Sequence, residues 1–245
     1  MQKIKYFPFF LGFIFFSIQL ILVLWLSPEK TMTDTWLSLA SHWDSEWYEA
    51  IAKYGYINID GPLHTGLLNA NVVFFPGYPY LARVLILLFG LDAKYALLCV
   101  SQSAALLFWC LLFYIFRQAK WYKQVYAALL IASFPASWFL FMGYSEALFM
   151  LACCLMLWFA TEKKWVLAGI SGVLMTATRL IGVPVLAAPL FSTAVIKFSQ
   201  FYQAWFKNKN FYSAFKALLL PSLTGLFGVL GCIGFLIYCA VKFGS

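Results

Sequence analysis

The chain has 245 residues, of which 64% are hydrophobic, 20% aromatic and only 11% charged. A soluble domain carries roughly 25% charged residues, so this composition excludes a water-soluble globular protein. The net charge of +8 would suit a nucleic-acid partner, but the charges are sorted along the chain in a way that membrane topology explains, and no nucleic acid is expected.

Apolar runs predict membrane-spanning helices at 6–26, 94–116, 125–142, 147–161, 165–180, 182–198 and 217–241. The runs are continuous rather than alternating. In hydrocarbon every backbone N–H and C=O must pair within its own segment, so the expected fold class is all-α, a polytopic integral membrane protein forming one transmembrane domain over 1–245. The first run, Tyr6 to Leu26, is long enough to span and no small-residue cleavage site follows it, so it reads as an anchor rather than a signal peptide. Stretch 75–91 is ambiguous: it is short, begins with Pro76, Gly77 and Pro79, and carries Arg83.

Short basic loops stay in the cytoplasm. Lys3 and Lys5 place the N-terminus inside, and three further basic loops follow: Arg117 to Lys123, Lys163 with Lys164, and Lys197 to Lys216. All four lie inside together only if 75–91 does not cross. It is therefore expected as an interfacial or re-entrant helix on the outer face. Six of the nine acidic residues fall the opposite way, in the long outer loop 27–74. Cys99, Cys110, Cys153, Cys154, Cys232 and Cys239 lie in apolar runs, where a thiol acts as a small hydrophobe, and no metal-type spacing occurs.

Within the loop, residues 41–56 read as a short amphipathic helix, with Trp43, Trp47, Ile51 and Tyr54 on one stripe and Gly55 placed to end it. Glu46, Glu49 and Lys53 gather elsewhere, the last two spaced as an i,i+4 pair on a solvated face. Asp44 stands apart from them. Two readings of Asp44 stay open on spacing alone: Ser41-x-x-Asp44 has the form of a capping box, and an isolated carboxylate beside tryptophans suits catalysis. His42 and His64 are lone histidines without a second ligand at fixed spacing, a pattern that is usually structural. Glu146 and Arg179 lie at the expected outer ends of spans, where an ionisable group is a functional-site hypothesis by default; the plain alternative is that they pair with one another. Gly169 and Gly172 with Ala168 suggest close helix contact, and Pro135, Pro184, Pro189 and Pro221 mark kinks or span ends.

Four blocks carry a resemblance: Trp43-Asp44-Ser45-x-Trp47-Tyr48 with Ile51-Ala52-x-x-Gly55-Tyr56, then Phe74-Phe75-Pro76-x-Tyr78-Pro79, Gly143-Tyr144-Ser145-Glu146, and Gly169 through Thr178-Arg179. Their order and spacing resemble the GPI mannosyltransferase 2 (PIG-V) family of GT-C membrane glycosyltransferases. The resemblance implies a GT-C-like helical bundle that moves a hexose, mannose first among candidates, from a polyprenyl- or dolichyl-phosphate donor to a lipid- or surface-linked acceptor on the extracytoplasmic face. It implies that Asp44 is the acidic residue on which catalysis depends. Arg179 suits the donor phosphate, since a guanidinium matches phosphate oxygens bidentately, and Glu146, Tyr144, Glu46 and His42 complete the expected substrate-binding set. Desolvation among aromatic rings would raise the carboxyl pKa of Asp44 and suit it as a base. No cofactor is implied beyond the lipid-linked donor, and a divalent metal stays open. The membrane is a bacterial inner membrane or the endoplasmic reticulum. Members of that family are usually longer, continuing with an outer loop and more spans, so two readings stay open: a C-terminally truncated form or a natural short form that lacks acceptor-binding parts. A non-catalytic assembly subunit or a lipid-handling or transport protein on the same scaffold is the competing function.

Overall fold

The structure is a computed structural model that describes residues 6–27, 29–56, 70–188 and 211–243. Every regular element among them is helical, as the continuous apolar runs require. Among the described residues three helical stretches are long and apolar enough to cross a membrane: Phe7–Leu26, Ala93–Ile115 and Ser222–Phe243. Twenty residues at about 1.5 Å each cover the roughly 30 Å hydrocarbon core, so the expectation of a helical membrane protein holds. The chain divides into two compact units, Met1–Leu151 and Ala152–Ser245.

In the first unit α1 (Phe7–Leu26) packs along α5 (Ala93–Ile115), which also receives α2 (Met32–Ser38), α3 (Asp44–Tyr54) and α4 (Gly77–Phe89). The buried positions of α5 include Ala93, Leu97, Ser101, Ala104, Phe108 and Leu112, a three- and four-residue spacing that lines one face. Alanine and glycine let backbones approach there: a Cβ on Gly12 would lie 2.5 Å from Cys110 Cα. Around that contact Phe15 meets both Trp109 and Phe113.

The stretch expected as one span at 125–142 is not a single helix. Helix α6 (Trp121–Ala132) stops, and a 3-10 turn runs over Pro135–Leu140 before irregular backbone to Ser145. Pro135 supplies the reason: it lacks an N–H and pushes the preceding residue out of the helical region, and Phe134 has ψ 128°. Helix α4 begins directly after Pro76, and Gly90 ends it with φ 65°. Its 13 residues reach about 20 Å, shorter than the hydrocarbon core.

The second unit carries the C-terminal part of α7 (Glu146–Thr161) with α8 (Trp165–Thr178), α9 (Gly182–Val185), α10 (Phe211–Gly228) and α11 (Leu230–Phe243). Here the glycine pattern is used as expected. A Cβ on Gly169 would press on Phe227, and one on Gly172 would lie 2.9 Å from Leu186 Cδ2 and 3.2 Å from Gly228 Cα. The Thr176 hydroxyl crosses the same contact to donate to the Gly228 carbonyl at 2.6 Å. The expected span 182–198 is described only as far as residue 188, and His64 and Asp60 also lie outside the described residues.

Candidate active site

The site is built from three of the four sequence blocks, which the first unit folds onto one another. Helix α3 buries Ser45, Tyr48, Ile51 and Ala52, an i, i+3, i+6, i+7 face. The expected aromatic stripe does not share one environment. Ile51 is fully buried, whereas Tyr54 is 65% exposed and Trp43 73% exposed. The reason is that the helix begins at Asp44, so Trp43 lies outside it, in backbone of φ 46° and ψ −116°.

Against the buried face of α3 lies the block that starts at Phe74. The Tyr48 ring meets Phe74 and Tyr78 edge-on at 5.1 and 5.0 Å, and Trp47 stacks on Phe74 at 6.0 Å. Edge-to-face pairs of this kind add about 0.5–1.5 kcal/mol beyond area burial. Tyr56 donates to the Phe74 carbonyl, and Tyr78, itself buried, donates to the Leu97 carbonyl of α5 at 3.0 Å. Arg83 of α4 donates to the Ala52 and Lys53 carbonyls, satisfying orphan acceptors at the C-terminal end of α3. Gly55 closes that end with φ 75°, as its position in the sequence suggested.

The third block, Gly143 to Glu146, runs beneath the start of α3. The Gly143 N–H donates to the Leu39 carbonyl at 2.8 Å, and a Cβ there would come within 3.0 Å of Ala40 Cα. A larger residue there would need Ala40 to give by a few tenths of an ångström. The Tyr144 hydroxyl donates to the His42 carbonyl at 3.1 Å, and the Tyr48 hydroxyl donates to Ser145 Oγ at 2.9 Å. Ser145 immediately precedes α7, whose first residue is Glu146.

Each expected site residue therefore has a place. Asp44 is the first residue of α3 and is exposed, so the aromatic desolvation expected of it is not present within the chain itself. Glu46 and His42 are exposed beside it, and Glu146 is half-buried. Tyr144 is 4% exposed; its burial, with the carboxylates of Asp44 and Glu146 adding, raises its phenol to about 12. Arg179 is the C-cap of α8 and belongs to the second unit. Glu49 and Lys53 form their i,i+4 pair, and that hydrogen bond raises the Lys53 pKa.

The capping-box reading of Asp44 does not hold. The N-cap position is Trp43, not Ser41, and no side chain caps the helix. The Ser41 hydroxyl instead donates to the Leu37 carbonyl and accepts from the Lys94 ammonium. Asp44 nevertheless lies in the first turn of α3, where a carboxylate favours the helix dipole. Among the described residues no group of three or more His, Cys, Asp or Glu converges as a metal-ligand set. A cavity of about 250 Å³ lies between α1 and residues 132–141, lined by Gln19, Val23 and Phe134 among others, and no expected site residue lines it.

Two supports were not anticipated. Gln102 of α5 accepts from the Trp36 indole at 2.9 Å and donates to the Phe141 carbonyl at 3.2 Å, bracing α2 and the approach to Gly143. A glutamine inside an apolar run was the available signal. The left-handed backbone at Trp43 had no sequence signal, because tryptophan is among the residues least suited to it.

No family model matches this chain, and no solved structure does. One human protein does show similarity, and the matched stretch spans less than a quarter of its length. In an alignment of 127 positions that takes in 45% of this chain and 23% of the relative, the chain is 35% identical to the GPI alpha-1,6-mannosyltransferase 2 of Homo sapiens, which makes it a distant, partial relative of a mannosyltransferase.

Proposed function

We propose that this chain acts in glycosyl transfer at a membrane, moving a hexose, mannose first among candidates, from a polyprenyl- or dolichyl-phosphate donor to a lipid- or glycan-linked acceptor on the extracytoplasmic face, in the manner of a GT-C enzyme. The observation that carries the reading is the 35% identity to a mannosyltransferase. The folding of the Trp43, Phe74 and Gly143 blocks onto one another, with Asp44 exposed at the start of α3, supports it.

In this proposal Asp44 takes the proton from the acceptor hydroxyl as that oxygen bonds to the anomeric carbon. The bond from the anomeric carbon to the phosphate oxygen breaks, and the lipid phosphate leaves with the electron pair. Inversion at the anomeric carbon follows from a single displacement. A positioned base contributes typically 10²–10⁴-fold to such a step. Glu146, Glu46 and His42 remain proposed substrate contacts around Asp44, and Arg179, in the second unit, is the proposed ligand for the donor phosphate. A divalent metal would add charge stabilisation for the leaving phosphate.

The test is transfer of radiolabelled mannose from a defined polyprenyl-phosphate donor by the purified protein, with products identified by mass spectrometry. Asp44→Asn is expected to lower turnover at least about 100-fold while the protein still inserts and extracts normally. Transfer of no hexose by the wild type, with normal insertion, would favour the assembly-subunit reading.

A further inference from the structure

The turn that delivers Asp44 is held in a conformation that its own sequence disfavours. Trp43, at φ 46° and ψ −116°, matches the first central position of a type II′ turn, a place dominated by glycine because a Cβ crowds the backbone there. The Ser45 N–H donates to the His42 carbonyl at 3.1 Å and closes the four-residue turn. Burial of the indole does not offset this strain, since Trp43 remains 73% exposed. A strained residue of this kind persists only where its surroundings over-determine it.

Those surroundings are in the Gly143 block. The Gly143 N–H fixes the Leu39 carbonyl, Ala40 is buried under Gly143, and the Tyr144 hydroxyl donates to the same His42 carbonyl that closes the turn. The Tyr144 ring is packed on Phe139 at 5.3 Å, so the hydroxyl has a fixed origin. The phenol stays protonated well above neutral pH and keeps its donor. A buried hydroxyl already committed to a backbone carbonyl is poorly placed to bind substrate directly.

We infer that Tyr144 is a positioning residue: by donating to the His42 carbonyl it holds Trp43 in the left-handed region and so fixes the direction in which Asp44 presents its carboxylate. This rests on the reading of Asp44 as the reacting carboxylate and names the residue that aims it.

The test pairs Tyr144→Phe, which removes only the hydroxyl, with Trp43→Gly, which removes the need for restraint because glycine adopts positive φ readily. Tyr144→Phe is expected to lower kcat for hexose transfer about 10- to 100-fold, the scale of a small misplacement at a reacting group, with the donor KM within about threefold. In the Trp43→Gly background the same change should cost less than about threefold. An equal loss in both backgrounds, or full kcat in Tyr144→Phe, overturns the inference. Exchange of the Ser45 amide hydrogen reports the turn without any reaction. Tyr144→Phe should speed it at least about tenfold, with Trp43→Gly slowing it again. Unchanged exchange overturns the inference whether or not the protein transfers a sugar. Full turnover by Asp44→Asn, in contrast, removes the role of Asp44 and leaves the clamp on the turn intact.

Discussion

Trp43 sits in backbone that favours glycine, with its indole in the open. Strain of this kind costs on the order of 1–3 kcal/mol, against about 0.5–1 kcal/mol of extra chain entropy lost by a glycine. Trp43→Gly should therefore raise stability by about 1 kcal/mol, read as a higher unfolding midpoint in detergent. A lower midpoint would mean that the indole stabilises the fold in its own right. Tyr144 supplies a second test. Its phenol, raised to about 12 mainly by burial, loses its proton later in the folded protein than in the unfolded chain. The stability it contributes is complete below about pH 10, the ordinary tyrosine value, and is lost as pH rises towards 12. The advantage of wild type over Tyr144→Phe in denaturant titrations should shrink across that window. An advantage that grew with pH would reverse the assignment.

Among the elements, glycines mark where backbones meet. Gly143→Ala would bring a Cβ to 3.0 Å from Ala40 Cα, so that Ala40 must give by a few tenths of an ångström, and should cost about 1–3 kcal/mol while loosening the turn before Asp44. In the N-terminal part of α11 the two glycines, Gly231 and Gly234, should part company. A Cβ at Gly231 would lie 2.1 Å from the Val173 carbonyl, whereas one at Gly234 meets nothing within 4 Å. Gly231→Ala should destabilise by about 3 kcal/mol, and Gly234→Ala should stabilise by about 0.5–1 kcal/mol through helix propensity. Thermal unfolding of the two variants side by side decides it. Much of this level was legible in the sequence. Continuous apolar runs predicted helices, Gly169 and Gly172 predicted a close contact, and Gly55 predicted the end of α3. The start of α3 was not legible. The Ser41 capping pattern pointed two residues too early, because Ser41 is used by the Leu37 carbonyl and Lys94, neither of which is visible from local spacing. Pro135 was marked as a breaker, yet the apolar run around it still read as a single span; hydropathy does not register a lost N–H.

At the scale of the molecule, three helices among the described residues have the length and composition of membrane spans, and sidedness is proposed from the basic loops. With the six cysteines replaced, a single cysteine at Thr31 should react with a membrane-impermeant maleimide from the extracytoplasmic face, and one at Lys163 only after the membrane is opened. The opposite labelling would invert the topology and place Asp44 on the cytoplasmic side. The site itself was legible as a set of residues but not as an arrangement. The sequence singled out Asp44, Tyr144 and Glu146, and the fold shows why two of the blocks belong together: Tyr144 and Gly143 bond to the carbonyls that lead into Asp44. Contacts between blocks about a hundred residues apart leave no trace in local spacing.

The most direct measurement of the central claim is mannose transfer from a polyprenyl-phosphate donor by wild-type protein and by Asp44→Asn, both reconstituted in lipid and quantified by product mass. The account expects transfer by the wild type and a loss of at least about 100-fold in the variant, with unchanged insertion and melting. Wild-type turnover retained by Asp44→Asn would contradict it.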